Sequence, residues 1–176
     1  MKFVLVRHTT SEWNALGLVQ GQTDIELSQK GKDEAKTLAV KLSDLGITFM
    51  VSSDLKRACQ TTEIITSVLH VPFKSDSRLR ECSYGKLEGL KRNEAAKKYG
   101  IENWEDSSLK YDFRGSGGED HASVFARHLD CLKLLKKKHG KETILIVGHG
   151  RGLWTLLDGL GHNPELKVGE YRVTEF

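Results

Sequence analysis

With 176 residues, 38% of them hydrophobic and 7% aromatic, the chain has material for one core and is expected to form a single domain over residues 1–176. Its net charge of +3 comes from lysines and arginines interleaved with acids, which argues against a nucleic-acid partner, although a mild positive field helps to capture a small anion. The apolar run Phe3–Val6 is too short for a signal-peptide core and no other run reaches membrane-spanning length, while three widely spaced cysteines without a C-x-x-C pair read as reduced thiols. A cytoplasmic protein without membrane contact is therefore expected.

Lys2–Val6 is a short, mostly apolar run, as suits a strand buried on both faces, and it delivers Arg7 and His8 at its carboxyl end. Ser28 as N-cap, apolar positions Ala35, Leu38, Ala39, Leu42 and Leu45, and Gly46 as stop predict a helix with one buried stripe. Ile47–Val51 reads as a second strand, with Ser52-Ser53-Asp54 capping a helix that buries Ala58, Ile64, Ile65, Val68 and Leu69. Arg57 falls in the first turn of that helix. Between Val71 and Glu119 the pattern weakens to a short strand near Pro72–Lys74, a loop through Glu81, a small helix near Asn93–Tyr99 and the glycines Gly115–Gly118. This stretch is expected to cover the site. Helical periodicity returns at Val124, Phe125, Leu129, Leu132 and Leu135, ends at Gly140, and gives way to an apolar strand at Thr143–Val147. Gly148-His149-Gly150 links that strand to a helix bearing Leu153, Trp154, Leu156, Leu157 and Leu160, and a last strand is expected at about Tyr171–Phe176. Strands alternating with helices, without repeats or a proline-rich linker, imply an α/β fold, a three-layer α/β/α sandwich with a mostly parallel central sheet.

Ligands of such sheets bind outside the carboxyl ends of the strands, so the Arg7-His8, Ser52–Arg57 and Gly148–Gly150 turns are expected to converge on one pocket. A neutral imidazole is a competent nucleophile near pH 7, and its attack on phosphorus makes a phosphohistidine; His8 is the candidate. Guanidinium groups match the charged oxygens of a phosphoryl group, a role for Arg7 and Arg57, and His149 can add a hydrogen bond, particularly as imidazolium. Losing one such donor typically costs roughly 3 kcal/mol of barrier. A leaving alkoxide needs a proton, and Glu81 is the candidate acid, with an anionic phosphate beside it favouring its protonated form. Taken singly each residue has a plainer reading, as a surface turn, a helix-surface charge or a solvated acid; their shared placement on one rim carries the functional one. The scheme demands no cofactor and no metal.

The series Arg7-His8-Thr9-Thr10-Ser11-Glu12-Trp13-Asn14, Gln20-Gly21, Ser52-Ser53-Asp54-Leu55, Arg57-Ala58, Leu79-Arg80-Glu81, Gly85, Glu88-Gly89, Gly117-Gly118-Glu119 and Val147-Gly148-His149-Gly150 resembles the histidine phosphatase superfamily, the phosphoglycerate mutase-like enzymes. The resemblance runs in order over about residues 2–155. It implies His8 as phosphohistidine nucleophile, Arg7, Arg57 and His149 as the phosphate pocket, Glu81 as acid and base, and substrate contacts from Asn14, Gln20, Gly21 and Gly150. Four positions depart from the family pattern: Thr9 stands for glycine, Thr10 for an acid or amide, Leu87 for tryptophan and Asp120 for serine. These substitutions are expected to alter the pocket walls and hence the substrate.

A metal-independent phosphatase acting on a small phosphorylated metabolite is the leading expectation, and a homodimer is compatible with the sequence. A phosphoglycerate mutase and a protein phosphohistidine phosphatase share the same residues. A catalytically silent phosphate-binding domain and a zinc hydrolase are the readings from other classes, and the latter lacks a ligand pair such as H-E-x-x-H.

Overall fold

The computed structural model describes residues 1–175. Five strands, β1 (Lys2–Arg7), β2 (Phe49–Ser52), β3 (Phe73–Ser75), β4 (Thr143–Gly148) and β5 (Tyr171–Glu175), form one sheet in the order β3-β2-β4-β1-β5. β1 to β4 pair in parallel, and β5 runs antiparallel along β1. Phe176, the end of the expected last strand, lies outside the described residues. Among the described residues six α-helices accompany the sheet: α1 (Glu12–Leu16), α2 (Gln29–Leu42), α3 (Lys56–Leu69), α4 (Arg92–Tyr99), α5 (His121–His139) and α6 (Gly150–Gly159).

Successive side chains of a strand point to opposite faces, and here both faces are covered. Val4, Val6, Leu145 and Val147 pack with Leu38, Ala39, Ala58 and Ile65 of α2 and α3. Phe3, Leu5, Ile144 and Ile146 pack with Leu132, Leu135, Leu153 and Leu157 of α5 and α6. This is the expected three-layer sandwich, with each fully buried aliphatic side chain contributing about 1.5–3 kcal/mol. A third cluster lies beyond the strand ends, where Tyr84, Leu87, Trp104, Tyr111 and Phe113 pack with Val19, Ala95 and Val124. The covering segment thus has its own small core, built from rings rather than from a helical or strand period.

The parallel register sets the site. Arg7 stands opposite Gly148 and Ser52 opposite Val147, so three strands end within about one residue of each other. Ser28 caps α2 by accepting from Gly31 N at 3.1 Å. The helix ends at Leu42, followed by a 3-10 turn at Ser43–Leu45 that closes on Gly46 in the left-handed region (φ 65°). One cap departs from expectation. Ser52-Ser53-Asp54 does not cap α3, whose N-cap is Leu55 without a side-chain bond. Its first N–H, from Lys56, donates instead to Asp24 Oδ1 at 2.7 Å, and Asp54 pairs with Arg80. A distant acid thereby ties the Gly21–Asp24 loop to the helix that carries Arg57.

Candidate active site

His8 follows β1 and His149 follows β4; because these strands are neighbours, the two rings lie 5.1 Å apart between centroids. His8 Nδ1–H donates to Thr9 O at 2.7 Å, which leaves Nε2 with the free lone pair. Burial, reinforced by Arg57 and Arg7, pushes the His8 pKa well below its ordinary value, so the ring is neutral at pH 7. Arg57 is 1% exposed; burial lowers it to about 10, and it stays charged. It is held by the carbonyls of Gly21 (2.7 Å) and Thr23 (2.9 Å), while its Nε has no partner. Arg7 is held by Leu166 O at 3.3 Å, lies over the Trp154 ring, and also has an unpartnered Nε. Buried donors without partners are costly unless something occupies the space they face.

Of the nine residues singled out from the sequence, eight line one narrow cleft that is partly open to solvent: Arg7, His8, Asn14, Gln20, Gly21, Arg57, Glu81 and Gly150. His149 is the ninth and sits just behind that surface, fully buried, with both ring nitrogens unpartnered. Burial first, then Arg57, pushes its pKa well below the ordinary value, so in the free protein the ring is neutral and offers one N–H rather than the two of an imidazolium. Gly150 has a steric reason, since a Cβ there would come within 2.9 Å of Arg7 Cζ. Asn14 Oδ1 accepts from Ser11 N at 3.1 Å and Gln20 Oε1 accepts from Ser11 Oγ at 2.7 Å, so each amide is held by its oxygen and keeps its NH₂ group for other use.

Glu81 plays a second part that the sequence did not announce. Its Oε1 accepts from Cys82 N (2.8 Å) and Gly152 N (2.9 Å), and Oε2 accepts from Arg151 N (3.2 Å). His149 provides no cap for α6, and Glu81 fills that place from the covering segment. Oε2, with one longer bond, is the oxygen with capacity left for a proton.

Eight further residues that were not proposed for the site line the cleft, four of them from the covering segment: Tyr84, Arg92, Trp104 and Glu105. Arg151, at the start of α6, is 2% exposed and surrounded by the rings of Tyr84, Trp104, Tyr111 and Trp154. It donates to Tyr84 Oη at 3.2 Å and Trp104 O at 2.6 Å. Its position directly after His149-Gly150 was the one available signal. Glu88 accepts from Gln22 N, Thr23 N, Thr23 Oγ1 and Tyr84 N, at 3.1, 3.0, 2.6 and 3.0 Å, and so fixes the loop whose carbonyls hold Arg57. The four family departures do not form pocket walls as expected. Thr9 bonds Thr61, Thr10 bonds Glu34, Leu87 fills the third core, and Asp120 caps α5.

This arrangement joins a neutral imidazole with a free lone pair to two buried arginines and a carboxylate, a set suited to phosphoryl transfer through nitrogen. Residues 3–174 match the family model of the histidine phosphatase superfamily (branch 1). The chain belongs to this superfamily. Among curated members it is 35% identical over 151 residues to phosphoserine phosphatase 1 of Hydrogenobacter thermophilus, covering 85% of this chain and 71% of the relative. It is also 35% identical over 161 residues to a 2,3-bisphosphoglycerate-dependent phosphoglycerate mutase of Afipia carboxidovorans, covering 88% and 78%. Among solved structures, a mycobacterial glucosyl-3-phosphoglycerate phosphatase complexed with VO3 superposes with a TM-score of 0.82 at 27% identity, covering 90% of this chain and 81% of that one. YhfR of Bacillus stearothermophilus superposes at 0.80 and 27% identity, covering 98% and 94%. Among the described residues no helix is long and apolar enough to cross a membrane, and no group of three or more His, Cys, Asp or Glu could hold a metal ion.

Proposed function

We propose that this histidine phosphatase hydrolyses a small phosphomonoester through a phosphohistidine on His8. The observation that carries the reading is the hydrogen bond from His8 Nδ1 to Thr9 O, which aims a neutral Nε2 lone pair into a cleft bounded by Arg7 and Arg57. In the first step Nε2 bonds to phosphorus, the ester P–O bond breaks, and Glu81 passes a proton to the departing alkoxide. In the second, water attacks the phosphorus, Glu81 takes its proton, and the P–N electron pair returns to Nε2 as orthophosphate leaves. Arg7, Arg57 and His149 hold the phosphoryl oxygens, with Asn14, Gln20, Gly21 and Gly150 shaping the contact. The reading takes residues 1–176 as one catalytic domain in the cytoplasm, supported by the extent of the family match and by three free cysteines.

Relatives named as mutases support a second reading, in which an acceptor alcohol replaces water in the second step. Turnover of p-nitrophenyl phosphate in EDTA, with wild type and His8→Ala side by side, tests the nucleophile. We expect the variant to lose at least about 10³-fold in kcat. Equal rates would remove His8 from the chemistry. Release of p-nitrophenol without matching orthophosphate, relieved by a phosphorylated acceptor, would replace hydrolysis by mutase transfer.

A further inference from the structure

Glu105 is an acid in the cleft that phosphate chemistry does not call for. Its Oε2 lies 3.6 Å from Arg7 Nη2 and its Oε1 3.0 Å from Arg92 Nη1, so the carboxylate bridges a phosphate-pocket arginine and the arginine that opens α4. Its backbone is held firmly. Trp104 packs its ring against Tyr84 and Phe113, Trp104 O accepts from Arg151, and Glu105 N donates to Asn103 Oδ1 at 3.0 Å. An ion pair this exposed (Glu105 side chain 41%) contributes little to stability, so the acid is better explained by what enters the cleft.

The charge balance points the same way. The lining carries four arginines, at 7, 57, 92 and 151, against Glu105 and Glu81, which leaves two positive charges with Glu81 ionised and three when it carries the proton it donates. The phosphate group of a monoester brings close to two negative charges at neutral pH. Phosphate therefore takes up most of that excess, and Arg92, the arginine of the covering segment, is already matched by Glu105.

We propose that Glu105 is a specificity-determining residue that reserves the site for phosphomonoesters whose alcohol carries no net negative charge, uncharged or zwitterionic. This deepens the phosphatase reading and rests on it. A carboxylate or second phosphate on the alcohol meets Glu105 across the arginines they would share, and like charges brought together in a partly dry cleft are rejected. The same balance disfavours mutase transfer between phosphoglycerates, in which every partner carries an extra anion.

Glycerol 3-phosphate and 3-phosphoglycerate differ only by a hydroxymethyl group in place of a carboxylate, so the ratio of their kcat/KM values reads the selection directly. Wild type is expected to prefer glycerol 3-phosphate; Glu105→Gln should shift the ratio toward 3-phosphoglycerate by roughly 10-fold or more, chiefly through KM, and Glu105→Asp should restore most of the preference. An unchanged ratio in Glu105→Gln, or a wild-type preference for 3-phosphoglycerate, overturns the proposal. If wild type turns over no ester, the phosphatase reading fails on its own, and calorimetric titration of the same two ligands into wild type and Glu105→Gln still measures the discrimination, with an equal affinity ratio in the two proteins counting against it.

Discussion

Arg7, His8 and His149 at the ends of parallel strands and Arg57 in the first turn of α3 are buried, whereas Arg92 and Glu105, from the covering segment, keep 28% and 41% of their side-chain surface in solvent. The first group is fixed by sheet register and backbone carbonyls; in the second, Glu105 follows Trp104 of the ring cluster around Arg151, and Arg92 opens α4 and pairs with Glu105. The difference assigns labour within one cleft. Chemistry on phosphorus is common to all esters and tolerates no play, so it is built into the sheet rim. Recognition of the alcohol varies between substrates and is built on a segment whose sequence can change without disturbing the sheet.

Substitutions should separate the two regions. Arg57→Met removes a buried phosphate donor and should lower kcat by about 10²–10³-fold for every ester alike, which steady-state kinetics on two unrelated esters will check. A loss confined to one ester would break the division.

The rim should also be the pH-sensitive part of the fold. His128, buried under it, is pushed down to about 3 by burial and Arg127, whereas an unfolded chain takes up that proton near 6.5. Between those values the unfolded state binds more protons, so stability is full above about pH 6.5 and falls as pH drops, by up to about 1.4 kcal/mol per pH unit for this group. His8 and His149 add in the same sense. Urea unfolding at pH 7, 6 and 5 should show the fall, and His128→Leu should flatten the slope by up to one proton. An unaltered slope would show that His128 is not held neutral.

The smallest effect belongs to the covering segment. Tyr84→Phe removes one hydroxyl from Arg151 and should lower stability by about 1 kcal/mol in urea unfolding, with a larger change in KM than in kcat. A kcat loss as large as that of Arg57→Met would place Tyr84 with the rim.

Residue order along the chain determined most of the rim. The unbroken apolar runs of β1 and β4 name a sheet covered on both sides, and such a sheet places its loops at the carboxyl edge, so His8, Arg57 and His149 were legible as one site before any distance was known. Glu81 was legible as a site residue, but its capping of α6 was not, because a cap supplied from 70 residues away leaves no local pattern. The departures at Thr9 and Thr10 looked like pocket changes because they neighbour His8. Only the tertiary structure showed those side chains turned toward Thr61 and Glu34. Arg92, Trp104 and Glu105 were decided wholly by tertiary packing, and Arg151 had only its place after His149-Gly150 to mark it. Periodicity reports which face of an element is buried, whereas aromatic rings closing around a guanidinium, and an acid bridging two arginines, are contacts between segments that share no period.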